Sequence, residues 1–231
     1  MRLRTGFLAV PAAAALAAAL LAAPAHAAAP TFTVSPGGTW SGTRAADSTV
    51  GIRDAVSSQV TLCTGLTVSG SFNPGRSQSG TGIGALTGIA FTGCRAEGVA
   101  VTVTVTTSAH SPAPVNLTAT APNDAAVALG QATGISLTLD DARGCHVVVG
   151  ARTSAGGGPG FTGIAYRSTD ARLSFAAAGK GLFVQSTSGP CNNGDQGLDM
   201  KLFDRISLGG FGDSILASSV IVSPAQRIGT P

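Results

Sequence analysis

His110 in "TTSAHS" and Ser214 in "GFGDS" are the residues of this chain whose types and order could do acyl-transfer chemistry, with Asp140 or Asp141 between them. A histidine can take the serine proton while a carboxylate orients the imidazole, and what makes a triad is geometry rather than order. Two other groupings have ligand chemistry. His146 lies beside Cys145, although a cysteine engaged in a disulfide has no thiolate to offer a metal. Asn193, Asp195 and Asp199 are spaced evenly around Gly197 in "NGDQGLD", which is oxygen-rich enough to be weighed as a calcium turn. Calcium wants six or more oxygens and usually more acids than this, so a glycine-rich turn after a cysteine is the plainer reading.

The His110 and Ser214 flanks resemble those of secreted serine proteases of the chymotrypsin type, which carry Ala-His-Cys and Gly-Asp-Ser-Gly-Gly. Here Ser111 replaces the cysteine, Ile215 replaces the glycine, and too little chain follows Ser214 to finish a second barrel. "GDSI" is also similar to the Gly-Asp-Ser-Leu signature of a hydrolase family, but it sits near the wrong end of a β-rich chain and no histidine follows it. No nucleophile elbow, phosphate loop or dinucleotide fingerprint occurs in a strand-to-helix context. The reading is therefore non-enzymatic, without cofactor or metal, and a hydrolase using His110 and Ser214 stands as the alternative.

The segments that would have to position these residues read as strands. Val99, Val101, Val103 and Val105 alternate with Thr102, Thr104 and Thr106, the pattern of a half-buried antiparallel strand. The same period turns Ile135, Leu137 and Leu139 inward in "GISLTLD", and Leu198, Met200 and Leu202 inward in "LDMKLFD". Further strands are expected in "TFTV", "LTVSGSF", "LTGIAF", "VNLTAT", "CHVVVGART", "ARLSF", "GLFVQS" and "ILASSVIV", separated by turn residues such as Asn73-Pro74-Gly75. Glycine, threonine, serine and alanine dominate while helix formers are scarce, so the fold is expected to be all-β, an antiparallel sandwich or barrel. "FTVSP" near the start echoes "VIVSP" near the end, which suggests similar roles for the first and last strands.

Arg2 and Arg4, the apolar run from Phe7 to Ala23 and Ala25-His26-Ala27 form a signal peptide over residues 1–27. The mature region, 28–231, is expected to be one all-β domain, or two similar halves of about 28–125 and 126–231. Cleavage removes Arg2 and Arg4, leaving 12 basic residues against 11 acidic ones. Those charges are scattered, so there is no stripe for nucleic acid, and no stable membrane insertion is expected. Four cysteines in an exported chain favour two disulfides with three possible connectivities; Cys63 with Cys94 and Cys145 with Cys191 is preferred because each pair brackets a local β excursion. Trp40 and the phenylalanines are assigned to the core by default, which leaves little aromatic surface for stacking sugars.

At "CTGLTVSGSF…GTGIGALTGIAFTGC", "TFTVSPGGTWSGT" and "VIVSP" the chain resembles a group of exported actinobacterial β proteins. Its Cys63–Cys94 segment is distantly similar to exported alkane-oxidation activators linked to biofilm matrix. The resemblance implies an extracellular binding or surface and matrix role, with the cell surface, matrix components or self-association as partners, and it transfers no catalytic residue. Self-association would use exposed threonine-rich strand edges, such as that around Val103. Carriage of a small apolar ligand is the remaining alternative.

Overall fold

A computed structural model describes residues 30–54, 56–107, 113–121, 124–150, 160–175, 182–191, 197–199, 205–208 and 218–230, and among them there are strands and no helix. The first third carries β1 (Thr31–Ser35), β2 (Gly38–Arg44), β3 (Val50–Asp54), β4 (Val60–Cys63), β5 (Gly65–Phe72) and β6 (Gly75–Ser79). There follow β7 (Gly84–Thr92), β8 (Cys94–Ala96), β9 (Val99–Thr107), β10 (Ala113–Ala121), β11 (Asp124–Thr133) and β12 (Ile135–Asp141). The chain continues through β13 (His146–Gly150), β14 (Gly160–Arg167), β15 (Arg172–Phe175) and β16 (Leu182–Ser188). It ends with β17 (Arg205–Leu208), β18 (Ser219–Ser223) and β19 (Arg227–Gly229).

Hydrogen bonding closes eight of these strands into a first ring, in the order β10-β11-β14-β15-β18-β2-β5-β7, and eight more into a second, in the order β12-β13-β16-β17-β3-β4-β8-β9. The two orders are one order. β2 is followed by β3, β4 by β5, β7 by β8 and so on to β17 and β18, so the strands come in eight successive pairs, one member in each ring, arranged as an up-and-down meander. In the second ring β17 joins β16 through Leu182↔Ile206 and Phe183↔Arg205. Each ring draws strands from both sides of residue 125, and one apolar core, including Phe72 and Leu173 of the first ring and Ile52 and Val147 of the second, runs through both.

The alternation seen in the sequence explains which faces point inward. Val101 and Val103 are buried while Thr102, Thr104 and Thr106 are exposed, and Ile135, Leu137 and Leu139 are fully buried. Three long strands break at a single residue where they pass between rings: Thr64, Gly93 and Gly134. Gly93 and Gly134 take φ of 60° and 75°, a left-handed conformation that costs glycine nothing and a side-chain-bearing residue about 1 kcal/mol or more. Thr64 and Gly93 break side by side, with Thr64 N–H donating to the Thr92 carbonyl at 3.0 Å.

Both disulfides take the preferred pairing, Cys63–Cys94 and Cys145–Cys191. The first crosses between β4 and β8 next to the Thr64 and Gly93 breaks; the register Leu62↔Arg95 makes the two cysteines the next pair along. The second joins the turn before β13 to the residues after β16, strands already paired through His146↔Ser188. A third sheet, β19-β1-β6, covers the open end of the first ring, and Phe32, Val34 and Ile228 from it are buried against the core. The echo of "FTVSP" and "VIVSP" has a structural counterpart. β1 and β18 each end at a cis Ser-Pro peptide, β1 leading from the cap into β2 and β18 leading from the ring into β19. β1 then pairs with β19, and β2 with β18, so the two corners lie together.

The sequence reading passed over the short strands β3 ("VGIRD"), β4 ("VTLC") and β17 ("RISL"), and also longer ones built of small residues. β2 ("GTWSGTR"), β11 ("DAAVALGQAT") and β14 ("GFTGIAYR") carry few β-branched side chains, and their pairing comes from neighbours on either side rather than from local preference. Of "LDMKLFD", Leu198 is fully buried as expected and Asp199 makes an isolated bridge. Met200 and Leu202 lie outside the described residues.

Candidate functional site

The residues singled out for chemistry do not come together among the described ones. His110, Ser214, Asn193 and Asp195 lie outside the described residues. Asp140 is on the outer face of β12 and pairs with the half-buried His146 of β13, directly opposite it in the register, with His146 Nδ1 2.5 Å from Asp140 Oδ1. Asp199 gives its backbone N–H to Gln59 Oε1 at 2.7 Å, and no group of three or more metal-ligating side chains forms among the described residues.

Asp141 is turned to a structural task. Its side chain is buried, and Oδ1 accepts the N–H groups of Arg143 and Cys145, both at 2.9 Å, while Oδ2 accepts that of Leu198 at 3.2 Å. Burial alone would raise its pKa; the three backbone donors, aided by the Arg143 charge, outweigh that and hold it below the ordinary carboxylate value. Asp54 opens the β3–β4 turn in the same way, accepting from Val56 at 2.7 Å. Between them, Gln59 donates to the Gly197 carbonyl at 2.5 Å, so residues 197–199 are strapped across the end of the second ring with Leu198 buried beneath. The signal for this was in the sequence. An aspartate opening a short turn that ends in glycine, as in "DARG", bonds its own backbone two residues on.

Closure into rings also disposes of the strand edges. β9, the threonine-rich strand around Val103, is not an edge strand of its sheet: it lies between β12, which pairs with it along its length, and β8, which pairs with Val99–Val101. Free edges among the described strands belong to the cap sheet, at β19 and β6. β19 is three residues long; the Ser168 hydroxyl takes up both backbone groups of its middle residue, Ile228, and the Tyr166 hydroxyl those of Gln226 just before it. β6 carries Arg76 and is kinked at Ser77, whose φ is 51°. Short length, a charge and a kink are the devices by which sheets avoid pairing with another chain.

Aromatic side chains form part of the core of the first ring. Trp40 stacks on Phe72 with centroids 5.5 Å apart, Phe72 tilts against Tyr166 at 6.0 Å, and Phe32, Phe91 and Phe175 are buried around them. A groove of about 600 Å³ runs along the outer face of β4 and β8, between Ser58 and Gly98, floored by Val60 and Leu62 and bordered by Thr64, Arg95 and Glu97. Leu62 is 45% exposed, and Val56, in the turn of the same hairpin, is 68% exposed. Leu62 faces Arg95 directly across one strand pair, and Val60 faces Arg53 across the other. A second hollow of about 770 Å³ lies beside β19, lined by hydroxyls, backbone and Arg227.

These features define a disulfide-stabilised, all-β barrel protein of an oxidising compartment, with an open groove of mixed apolar and polar lining that includes Arg95 and Glu97. No helix among the described residues is long and apolar enough to cross a membrane. No family model, no curated protein and no solved structure matches the chain.

Proposed function

We propose that the chain is an exported, non-enzymatic protein that acts outside the cell by binding through its outer surface. The observation that carries this is the treatment of its edges: the described strands close into rings, and the remaining edges among them, at β19 and β6, are capped or kinked. A protein that assembled by strand addition would need a long, flat edge, so the matrix-assembly reading loses its simplest mechanism. The signal-peptide pattern of residues 1–27 and the oxidised cysteines support export. Asp140 and Asp141, the carboxylates available to a triad, are held by His146 and by backbone N–H groups, which favours a non-catalytic reading.

Sedimentation velocity of the mature chain, paired with fractionation of a host culture, tests this reading. A monomer at every concentration, recovered from medium or released from the envelope as a monomer, is the expected result. Concentration-dependent polymers, or recovery in detergent-insoluble material, would return the role to matrix assembly.

A further inference from the structure

The groove on β4 and β8 alternates two chemistries. Val60 and Leu62 point outward two residues apart on β4, and each has an arginine directly across a strand pair: Arg53 opposite Val60, Arg95 opposite Leu62. Directly opposed side chains lie about 5 Å apart at Cβ, so each apolar group is within reach of a guanidinium. Both arginines are exposed and bonded to neutral groups only. Arg95 Nη1 donates to the Gly98 carbonyl at 2.8 Å, and Arg53 Nη2 lies 3.4 Å from Ser58 Oγ. Glu97 is the single acid among the lining residues. The large exposed apolar side chains among the described residues are Val56, Leu62 and Ile221, and the first two belong to this hairpin.

We propose that this groove binds a free anionic amphiphile, a medium-chain carboxylate or its equivalent, with the alkyl chain along Val60 and Leu62 and the anionic head on Arg95. The proposal rests on the binding reading above and names its ligand class. Three properties select this occupant. The apolar strip is two side chains long, enough for one alkyl chain and too small for a stable protein interface. Guanidinium groups with unused donors pair with carboxylate through charge-assisted bonds. A membrane surface would call for a larger cluster of basic residues and more inserted apolar area than one valine at a hairpin tip supplies.

The test uses the mature, disulfide-intact chain labelled with ¹⁵N and titrated with decanoate below its micelle concentration, with decanol and decyltrimethylammonium as neutral and cationic probes. Saturable shifts confined to residues 58–64 and 93–98 with decanoate, weaker shifts with decanol and none with the cation are expected. R95Q should weaken decanoate binding about tenfold, L62T should weaken decanoate and decanol alike, and R227Q, in the other hollow, should change neither. Arg95 and Leu62 are exposed, and circular dichroism of each variant checks that it folds. Absence of saturable shifts, equal response to all three probes, or indifference to R95Q would overturn the proposal. So would co-sedimentation with phosphatidylglycerol vesicles that R95Q abolishes, since that would assign the patch to a lipid surface. Sedimentation of the same samples separates the two failures: a monomer that ignores decanoate loses this ligand and keeps the binding reading, whereas a polymer loses that reading as well.

Discussion

Ser168 Oγ lies 2.9 Å from both backbone groups of Ile228, accepting its N–H and donating to its carbonyl. Two residues earlier on the same segment, the Tyr166 hydroxyl does the same for Gln226, again at 2.9 Å to each. Two side-chain hydroxyls thus stand where a neighbouring strand's backbone would stand, and they satisfy the outward edge of the final strand. Leaving a buried pair of backbone groups unmet costs about 1–3 kcal/mol. Ser168→Ala is expected to lower unfolding free energy by about 2 kcal/mol in urea titration, and Tyr166→Phe by a similar amount. An effect below about 0.5 kcal/mol for both would show that water replaces the hydroxyls at no cost.

Asp141 makes acid stability a property of one turn. Its pKa is lowered on folding, so it contributes stability above the unfolded carboxylate pKa of about 3.9 that is lost as pH falls through the lower folded value. Asp141→Asn places an amide N–H where Leu198 N–H needs an acceptor. The variant should be less stable at pH 7 by about 2–3 kcal/mol, with a shallower loss between pH 5 and pH 2 (roughly the window a depressed carboxylate governs). Urea midpoints across that range give the measurement; parallel curves for the two proteins would remove Asp141 as the cause.

At the junction of the rings, a Cβ built on Gly93 would run into the Thr64 side chain. Gly93→Ala should therefore destabilise by about 2 kcal/mol or more, combining left-handed strain with the clash. Adding Thr64→Gly should restore the steric part and leave the backbone cost of about 1 kcal/mol. A double-mutant cycle reads this directly: strict additivity would mean the two breaks do not touch.

The disulfides close segments with sequence separations of 31 and 46 residues, for which chain-entropy reasoning gives about 3–4 kcal/mol each. Replacing either pair by serine should lower stability by roughly that amount. Peptide mapping without reduction should recover Cys63 joined to Cys94 and Cys145 joined to Cys191. Recovery of Cys63 joined to Cys191 would contradict the fold.

The groove shows how far a candidate site was legible. Val60 and Leu62 alternate along a strand and Arg53 reaches Val60 through the short β3–β4 hairpin, but nothing local says that Arg95 stands opposite Leu62. That juxtaposition depends on which strands flank β4 and in what register, and β8 lies 31 residues away through the β5–β7 excursion. Asp141 was legible as a carboxylate of interest and misread in role, because its partner Leu198 is far along the chain.

By itself the sequence determined the all-β class, the inward faces of β9 and β12, and the candidate cysteine pairs, because a period of two, β-branched residues and loop length act locally or need only the chain's own order. Only the tertiary structure decided that the strands close into two rings of one order, that β9 is covered rather than an edge, and that hydroxyls of Tyr166 and Ser168 finish the last strand. Closure, register and edge protection are set by contacts between residues far apart in sequence, and the energy of those contacts exists only when the meander has come back to meet its own beginning.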